Sequence, residues 1–419
     1  MPASFLLLLA AQFTSALADN ALLIVTIDLL QQRSMPGWLA PMLKVAFIAA
    51  YVLLAPFVGP LADAFPKARL MAWMNGVKIF GVAALVAGLH PVGAFLVVGL
   101  GAAAYAPAKY GLATELVRPD QLVAANAWIE TAAVCAVLLG TGLGGFLVSP
   151  WLLGHASRHV ADVCDPVLPS LLILLGVYLL AGGLNLGVPD SGVRHAVGSL
   201  HPKAMLRDFV HANRKLWRDR DGGLSLTVTT IFWGVGATLQ FAVLRWARET
   251  MQLSLDRAAF VQAAVAVGVI AGAVAAGRWV PLAQAKRMLY AGVLFGLLMT
   301  VVPFLTQLHL AVAVLIVVGG VGGLMVVPLN ALLQDRGNAL LSAGRSIAVQ
   351  GGNENLSVLV CLGAYSALCA VDVSLVALMI GLGACVSAAL GWLLLQERSR
   401  DRRATASVHT DEWRAEAKA

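Results

Sequence analysis

Asp19 and Asn20 stand about midway along the first apolar segment, between Ser15-Ala16-Leu17-Ala18 and Ala21-Leu22-Leu23. An ionised group at the bilayer centre costs at least about 2.5–3.5 kcal/mol on insertion scales. A charge kept there needs a partner, a water-filled cavity or a task. Lys78, Lys109, Glu130 and Glu354 repeat the pattern in later apolar segments, with the amides Asn126, Asn330, Gln350 and Asn355 nearby. Charges kept inside spans in this way point to a transporter. Blander roles stay open for each. Lys109 could form a structural ion pair with Glu130, and Lys78 could be a snorkelling or packing lysine. Glu354 with Gln350, Asn353 and Asn355 could be interhelical hydrogen-bonding glue.

The elements that must position these groups are apolar helices. The chain has 419 residues, 59% hydrophobic and 12% charged, with mean hydropathy +0.82. Soluble domains run nearer half apolar and a quarter charged. Segments long enough to span recur along the whole length, which predicts an all-α polytopic membrane protein. Twelve spans are expected at 4–30, 39–62, 70–89, 92–115, 121–148, 169–188, 223–247, 258–280, 287–306, 309–333, 342–370 and 374–396. Pro56, Pro107, Pro303 and Pro328 interrupt helical patterns, and the 41 glycines fit close helix packing in lipid. The first segment imitates a signal peptide ending at Ala16-Leu17-Ala18. It lacks a basic leader and stays apolar through Leu30, so it reads as an uncleaved span.

Lys and Arg placement orients the spans. With the N-terminus inside, the inner loops, the 189–222 connection and the tail hold twenty-one basic residues. The outer loops hold five: Arg33, Lys44, Arg158, Arg248 and Arg257. The positive-inside rule therefore places both termini in the cytoplasm. The net charge of +7 is dispersed through short loops, which argues against nucleic-acid binding. Cys135, Cys361, Cys369 and Cys385 lie in apolar segments and Cys164 in a loop, with no spacing that resembles a metal or redox motif. No cofactor is expected. The polar 189–222 stretch splits the spans into six-helix halves, 1–188 and 223–396, followed by a charged tail at 397–419. A weak repeat supports the split: Gly101, Pro107 and Lys109 parallel Gly322, Pro328 and Asn330.

Gly59-Pro60-Leu61-Ala62-Asp63-Ala64-Phe65-Pro66-Lys67-Ala68-Arg69 joins spans two and three. It resembles the loop motif of the major facilitator superfamily, whose fold has two six-helix halves. Asp63, Lys67 and Arg69 would then form gating ion pairs that lock one state of a rocking cycle. Pro66 stands where the motif has glycine. Further stretches are similar to the bacterial lysophospholipid transporters: residues 15–23, Ala55-Pro56-Phe57-Val58-Gly59, residues 101–111 and Val327–Gln334. So is Ile347-Ala348-Val349-Gln350 followed by Glu354-Asn355. The resemblance covers essentially all twelve spans. It implies movement of lysophospholipids, chiefly lysophosphatidylethanolamine, from the outer to the inner leaflet of the bacterial inner membrane. A cytoplasmic-side acyltransferase/acyl-carrier-protein synthetase would then re-acylate them. The head group so implied carries a phosphate, which Lys109 and Lys78 could face, and an ammonium, which Asp19 and Glu354 could face.

One position departs from the resemblance. It implies an arginine before the phenylalanine of span seven, paired with the span-one aspartate, but Gln240 precedes Phe241 here. Asp28 and Arg245 lie within about 3 Å of equal depth in spans one and seven. They are expected to form a relocated gate pair, with Asp19 and Gln240 hydrogen-bonded deeper in. The rival function on the same fold is a proton-coupled transporter of small amphiphiles, in which Asp19, Glu130 and Glu354 carry protons. A lipid acyltransferase fits poorly, because none of the eight histidines has an aspartate five positions later. A non-transporting scaffold fits poorly too, since it has no use for polar groups inside five spans.

Overall fold

The computed structural model describes residues 2–36, 39–149, 152, 167–192, 201–253 and 255–416; the side chains of residue 41, residues 255–257, residue 259 and residues 401–416 lie outside the description. Arg158, Cys164, Arg194, His155, His159 and His195 therefore fall outside the described residues, as does the Arg257 side chain.

Thirteen α-helices follow one another among the described residues. They are α1 (Ala3–Gln32), α2 (Leu39–Ala64), α3 (Lys67–Val86), α4 (Pro91–Leu116), α5 (Leu122–Leu147) and α6 (Leu168–Gly187). After α7 (Pro202–Arg218) come α8 (Arg220–Glu249), α9 (Leu255–Trp279) and α10 (Leu289–Val301). The last three are α11 (Leu308–Leu340), α12 (Ala343–Ala370) and α13 (Leu375–Glu416). The fold is all-α and polytopic. Eleven of the described helical segments are long and apolar enough to cross a membrane. The expected span at 342–370 is the helix α12, whose 28 residues reach the length but not the apolarity. Arg345, Gln350, Asn353, Glu354 and Asn355 crowd its first half.

Pro56, Pro107 and Pro328 do not end their helices. Packed neighbours tolerate the lost N–H in a membrane bundle. Pro303 behaves as expected, closing α10 in a 3-10 turn at Val302–Phe304. Side chains cap three starts: His90 accepts from Val92 N, Asp219 from Gly222 N and Ser342 from Arg345 N. The polar connection expected at 189–222 contains an amphipathic helix, α7. Its Met205, Ala212 and Leu216 are buried at i, i+7 and i+11, so the signal was present.

Glycines set the closest helix contacts. A Cβ on Gly140 would lie 2.6 Å from the Leu17 carbonyl oxygen, which lets α5 approach α1 beside Asn20. Gly268 and Gly272 of α9 lie against Ile316 and Gly320 of α11 in the same way. Two further contacts matter for function, because they join helices of the first six spans to helices after α7. Gly59 of α2 meets Gly344, Arg345 and Ala348 of α12, and Gly277 of α9 meets Ala124 and Ala127 of α5. Both lie at the end of the bundle that carries the basic 64–69 and 341–345 turns.

Candidate substrate-binding cavity

Three helices bring the intramembrane charges together. On α1, Ser15 and Asp19 are spaced i, i+4 and share a face. On α3, Asn75 and Lys78 are one turn apart, and on α4 Tyr105 and Lys109 repeat the i, i+4 spacing. Lys78 Nζ donates to Asp19 Oδ2 at 2.7 Å and to Ser15 Oγ at 2.9 Å. Ser15 Oγ donates onward to Asn75 Oδ1 at 2.8 Å. Tyr178 of α6 donates to the second oxygen of Asp19 at 2.8 Å. The Lys78 side chain is 2% exposed, and its ammonium lies 5.4 Å from the Tyr105 ring centroid and 5.8 Å from that of Tyr178. Burial of a charge is tolerable when it is paired and hydrogen-bonded, and Lys78 has the Asp19 ion pair, the Ser15 hydrogen bond and two aromatic faces.

A cavity of about 90 Å³ opens beside this pair, lined among others by Gln12, Asp19, Tyr51, Lys78, Tyr105 and Lys109. Lys109 makes no ion pair with Glu130 among the described residues; its ammonium sits 4.1 Å from the Tyr110 ring centroid. One cation of the wall is thus neutralised in a direct ion pair, while the other lies on an aromatic face with Glu130 near but beyond ion-pair distance. Sequence reasoning found Asp19, Lys78 and Lys109 from their cost alone, but set Asp19 and Lys78 at opposite poles. In the structure they are partners. Asn20 is not in the cavity lining: its amide returns to Ala16 O at 2.8 Å.

A second polar cluster ties α5 to α11 and α12. Asn126 Nδ2 donates to Gln334 Oε1 at 2.8 Å, and Asn126 Oδ1 accepts from Gln334 Nε2 at 3.0 Å and Asn330 Nδ2 at 3.2 Å. Gln350 Nε2 reaches Asn330 Oδ1 at 2.5 Å and Glu354 Oε1 at 2.8 Å. Glu130 is buried on α5 in the turn above Asn126. Asn355 lies apart from this chain, donating to Gly351 O within its own helix.

The turn motif divides into separate pairs. Asp63 accepts from Ser342 Oγ and from Gly344 N at 3.1 Å, so a carboxylate caps the N-terminus of α12, where the helix dipole favours an anion. Arg345 Nε adds a weaker contact at 3.9 Å. Lys67 turns instead to Glu115 of α4 at 2.7 Å, both side chains buried. Arg69 is exposed and makes no ion pair among the described residues. Pro66 suits its place because it caps the start of α3, where a missing N–H is harmless.

The expected Asp28–Arg245 pair does not form in this structure. Arg245 Nε bonds Glu249 at 2.6 Å and its Nη1 lies 3.2 Å from Cys369 Sγ, while Asp28 accepts from Gln32 at 2.6 Å. Each charge has taken a partner one turn away or on the adjacent helix, which needs no closed outer end. Gln240 is exposed, and Asp19 is satisfied by Lys78 and Tyr178 rather than by it. The cation beside Phe241 is instead Lys44 of α2, exposed and 5.9 Å from that ring's centroid. Lys44 lies two turns, about 10.5 Å, beyond cavity-lining Tyr51 on the same helix face. Sequence reasoning counted Lys44 with the outer loops, although the expected span already began at residue 39.

Long helices packed around a polar cavity, with a carboxylate-capped seam at one end, define a transporter of the major facilitator type. Residues 5–352 match the Major Facilitator Superfamily. Solved structures give the same fold: an outward-facing bacterial homologue of the iron transporter ferroportin aligns with TM-score 0.71 and 14% identity, over 95% of this chain and 100% of that one. The E. coli fucose:proton symporter FucP aligns with TM-score 0.70 and 14% identity, over 93% and 97% of the two chains. The sequence relatives are more specific. The lysophospholipid transporters LplT of Yersinia pestis (strain Pestoides F) and of Yersinia pseudotuberculosis (serotype O:3, strain YPIII) are each 41% identical over 365 residues, covering 87% of this chain and 86% of theirs. The chain belongs to the LplT family of lysophospholipid transporters within the major facilitator superfamily.

Proposed function

We propose that this protein moves lysophospholipids, lysophosphatidylethanolamine foremost, from the outer to the inner leaflet of the bacterial inner membrane. The observation that carries the reading is the cavity wall, where Lys109 makes no direct ion pair among the described residues and stands beside the Asp19–Lys78 pair. A phosphate monoanion or diester arriving there meets Lys109 and competes with Asp19 for Lys78. The ammonium of the same head group then finds the Asp19 carboxylate, released from its lysine, or Glu354. The single acyl chain needs no polar site and can stay in the lipid between helices. Product would be consumed by an acyltransferase/acyl-carrier-protein synthetase on the cytoplasmic side.

The working architecture is twelve spans in two six-helix halves, 1–188 and 223–396, with 189–222 as a cytoplasmic connection, 397–419 as a cytoplasmic tail and both termini inside. The basic turns at 64–69 and 341–345 support that orientation. On this reading the Asp63 cap on α12 and the Asn126–Gln334 amide pair close the cytoplasmic end, and the cavity is reached from outside. Alternating access then requires both contacts to part.

The second reading, proton-coupled transport of small amphiphiles, is favoured by Glu130, which is buried and has no ion-pair partner among the described residues. Flipping of labelled lysophosphatidylethanolamine in proteoliposomes, with and without a pH gradient, separates the two. Flipping indifferent to the gradient supports facilitated transport pulled by acylation. Strict dependence makes a membrane carboxylate a proton carrier, and no flipping at all moves the assignment to small amphiphiles.

A further inference from the structure

The connecting helix α7 has three faces. Met205, Phe209, Ala212 and Leu216 form the packed one, of which Phe209, Ala212 and Leu216 are seated with Leu226 of α8, Leu333 of α11 and Val349 of α12. At about 100° per residue, Leu206, Val210 and Trp217 form a second stripe turned about 110° from the first. These three are exposed by 51%, 58% and 40%. Lys203, Arg207, Arg214 and Arg218 form a third stripe about 70° further on. All four are exposed, and none has an acidic partner among the described residues.

Hydrogen bonds fix the rotation of the helix, so the exposed apolar stripe is a property of the fold. Lys215 Nζ bonds Leu340 O at 2.6 Å, Asn353 Nδ2 bonds Asn213 Oδ1 at 3.0 Å, and Trp217 Nε1 bonds Asn353 Oδ1 at 3.3 Å. Asn353 begins a line on α12 that continues through Leu356 and Val360, exposed by 50% and 61%. On a membrane-spanning helix that line faces lipid. The apolar stripe of α7 is therefore continuous with a lipid-facing surface, and its basic stripe lies directly beside it.

We infer that α7 lies in the membrane plane and binds anionic phospholipid head groups of the leaflet at its end of the bundle. An apolar stripe with flanking Lys and Arg is the physical signature of an interfacial helix. Charge complementarity chooses the lipid class, since four unpaired cations at one depth attract an anionic surface. Leu206, Val210 and Trp217 enter the acyl boundary, while Lys203, Arg207, Arg214 and Arg218 meet the phosphates. The position has a consequence for transport. Phe209 and Ala212 share a crevice with Pro56 and Gly59 of α2 and Ala348 of α12, so lipid bound to α7 holds it over the α2–α12 seam. The identity of the leaflet as the inner one rests on the orientation proposed above; the binding itself does not.

The test uses the full chain in nanodiscs of phosphatidylcholine with or without phosphatidylglycerol. Spin labels are placed at V210C and, on the far side of the basic stripe, at H211C, in a background whose native cysteines are replaced. The expected result is oxygen-accessible V210C and water-accessible H211C when phosphatidylglycerol is present. In parallel, K203Q/R207Q/R214Q/R218Q should retain less phosphatidylglycerol after detergent extraction, by about fivefold per charge removed. A V210C label as aqueous as H211C overturns the inference, and so does unchanged phosphatidylglycerol retention. An aqueous V210C label with charge-dependent polyglutamate binding would assign the stripe to an acidic protein instead. Neither readout involves transport, so a failed flipping assay and a failed lipid-binding assay remain distinguishable.

Discussion

Lys78 and Asp19, on different helices and 59 residues apart, meet at 2.7 Å inside the bundle, and the cavity opens beside their contact. Removing one partner leaves the other charged and buried, at a cost of about 3–5 kcal/mol. K78M and D19L should each lower the thermal midpoint in detergent and abolish flipping. The double variant D19L/K78M should recover much of the midpoint and none of the transport. A double variant as unstable as the sum of the singles would mean that the two charges are not coupled.

The Asp63 cap on α12 should govern how often the bundle opens at that end. Charge–dipole contacts of this kind are worth about 0.3–2 kcal/mol. D63N should therefore shift the balance of conformers by up to about thirtyfold toward opening. Spin labels at R69C and N338C, both exposed positions on opposite sides of the seam, report the change as a longer distance population. An unchanged distance distribution would remove Asp63 from the gate.

Lys44 offers a cation on the outer wall where the family resemblance implies an arginine and this chain has Gln240. K44Q is expected to raise the KM for lysophosphatidylethanolamine several-fold with little change in the maximal rate. K44R should behave like the wild type. A KM indifferent to K44Q would make Lys44 a snorkelling residue only.

Asp219 caps α8 and bonds Arg336 Nη2 at 2.7 Å, and this guanidinium, helped by the Gly222 N–H, holds its carboxyl below the usual carboxylate range. A depressed folded-state pKa contributes stability above the unfolded value, and that contribution is lost as pH falls through the folded one. Midpoints should thus fall on acidification toward the folded value in the wild type. D219N, which retains a capping oxygen but no charge, should start lower at neutral pH and lose less over the same range. Parallel melting curves for the two proteins would contradict this.

Much of the fold was legible because apolar runs in a membrane chain have few alternatives to helix, and the polar groups inside them announce themselves by their cost. Asp19, Lys78 and Lys109 were found that way. Their pairing was not, because spacing along α1 and α3 fixes faces within each helix but not how the two helices are rotated against each other. Arg245 shows the opposite error. Its partner Glu249 was visible one turn away, and a local i, i+4 contact forms without any assembled gate. The helix α7 was missed because its charges dominate its composition, although Met205, Phe209, Ala212 and Leu216 keep a helical period.

If cations in the cavity recognise the phosphate of a single-chain lipid, lipids with and without that phosphate compete unequally for transport. Competition against flipping of labelled lysophosphatidylethanolamine in proteoliposomes tests it most directly, using unlabelled lysophosphatidylethanolamine and a monoacylglycerol of the same chain length. The phospholipid is expected to compete and the monoacylglycerol not, and K109Q to weaken the phospholipid's competition. Equal competition by the two lipids would contradict it, leaving the acyl chain rather than the phosphate as what the cavity selects.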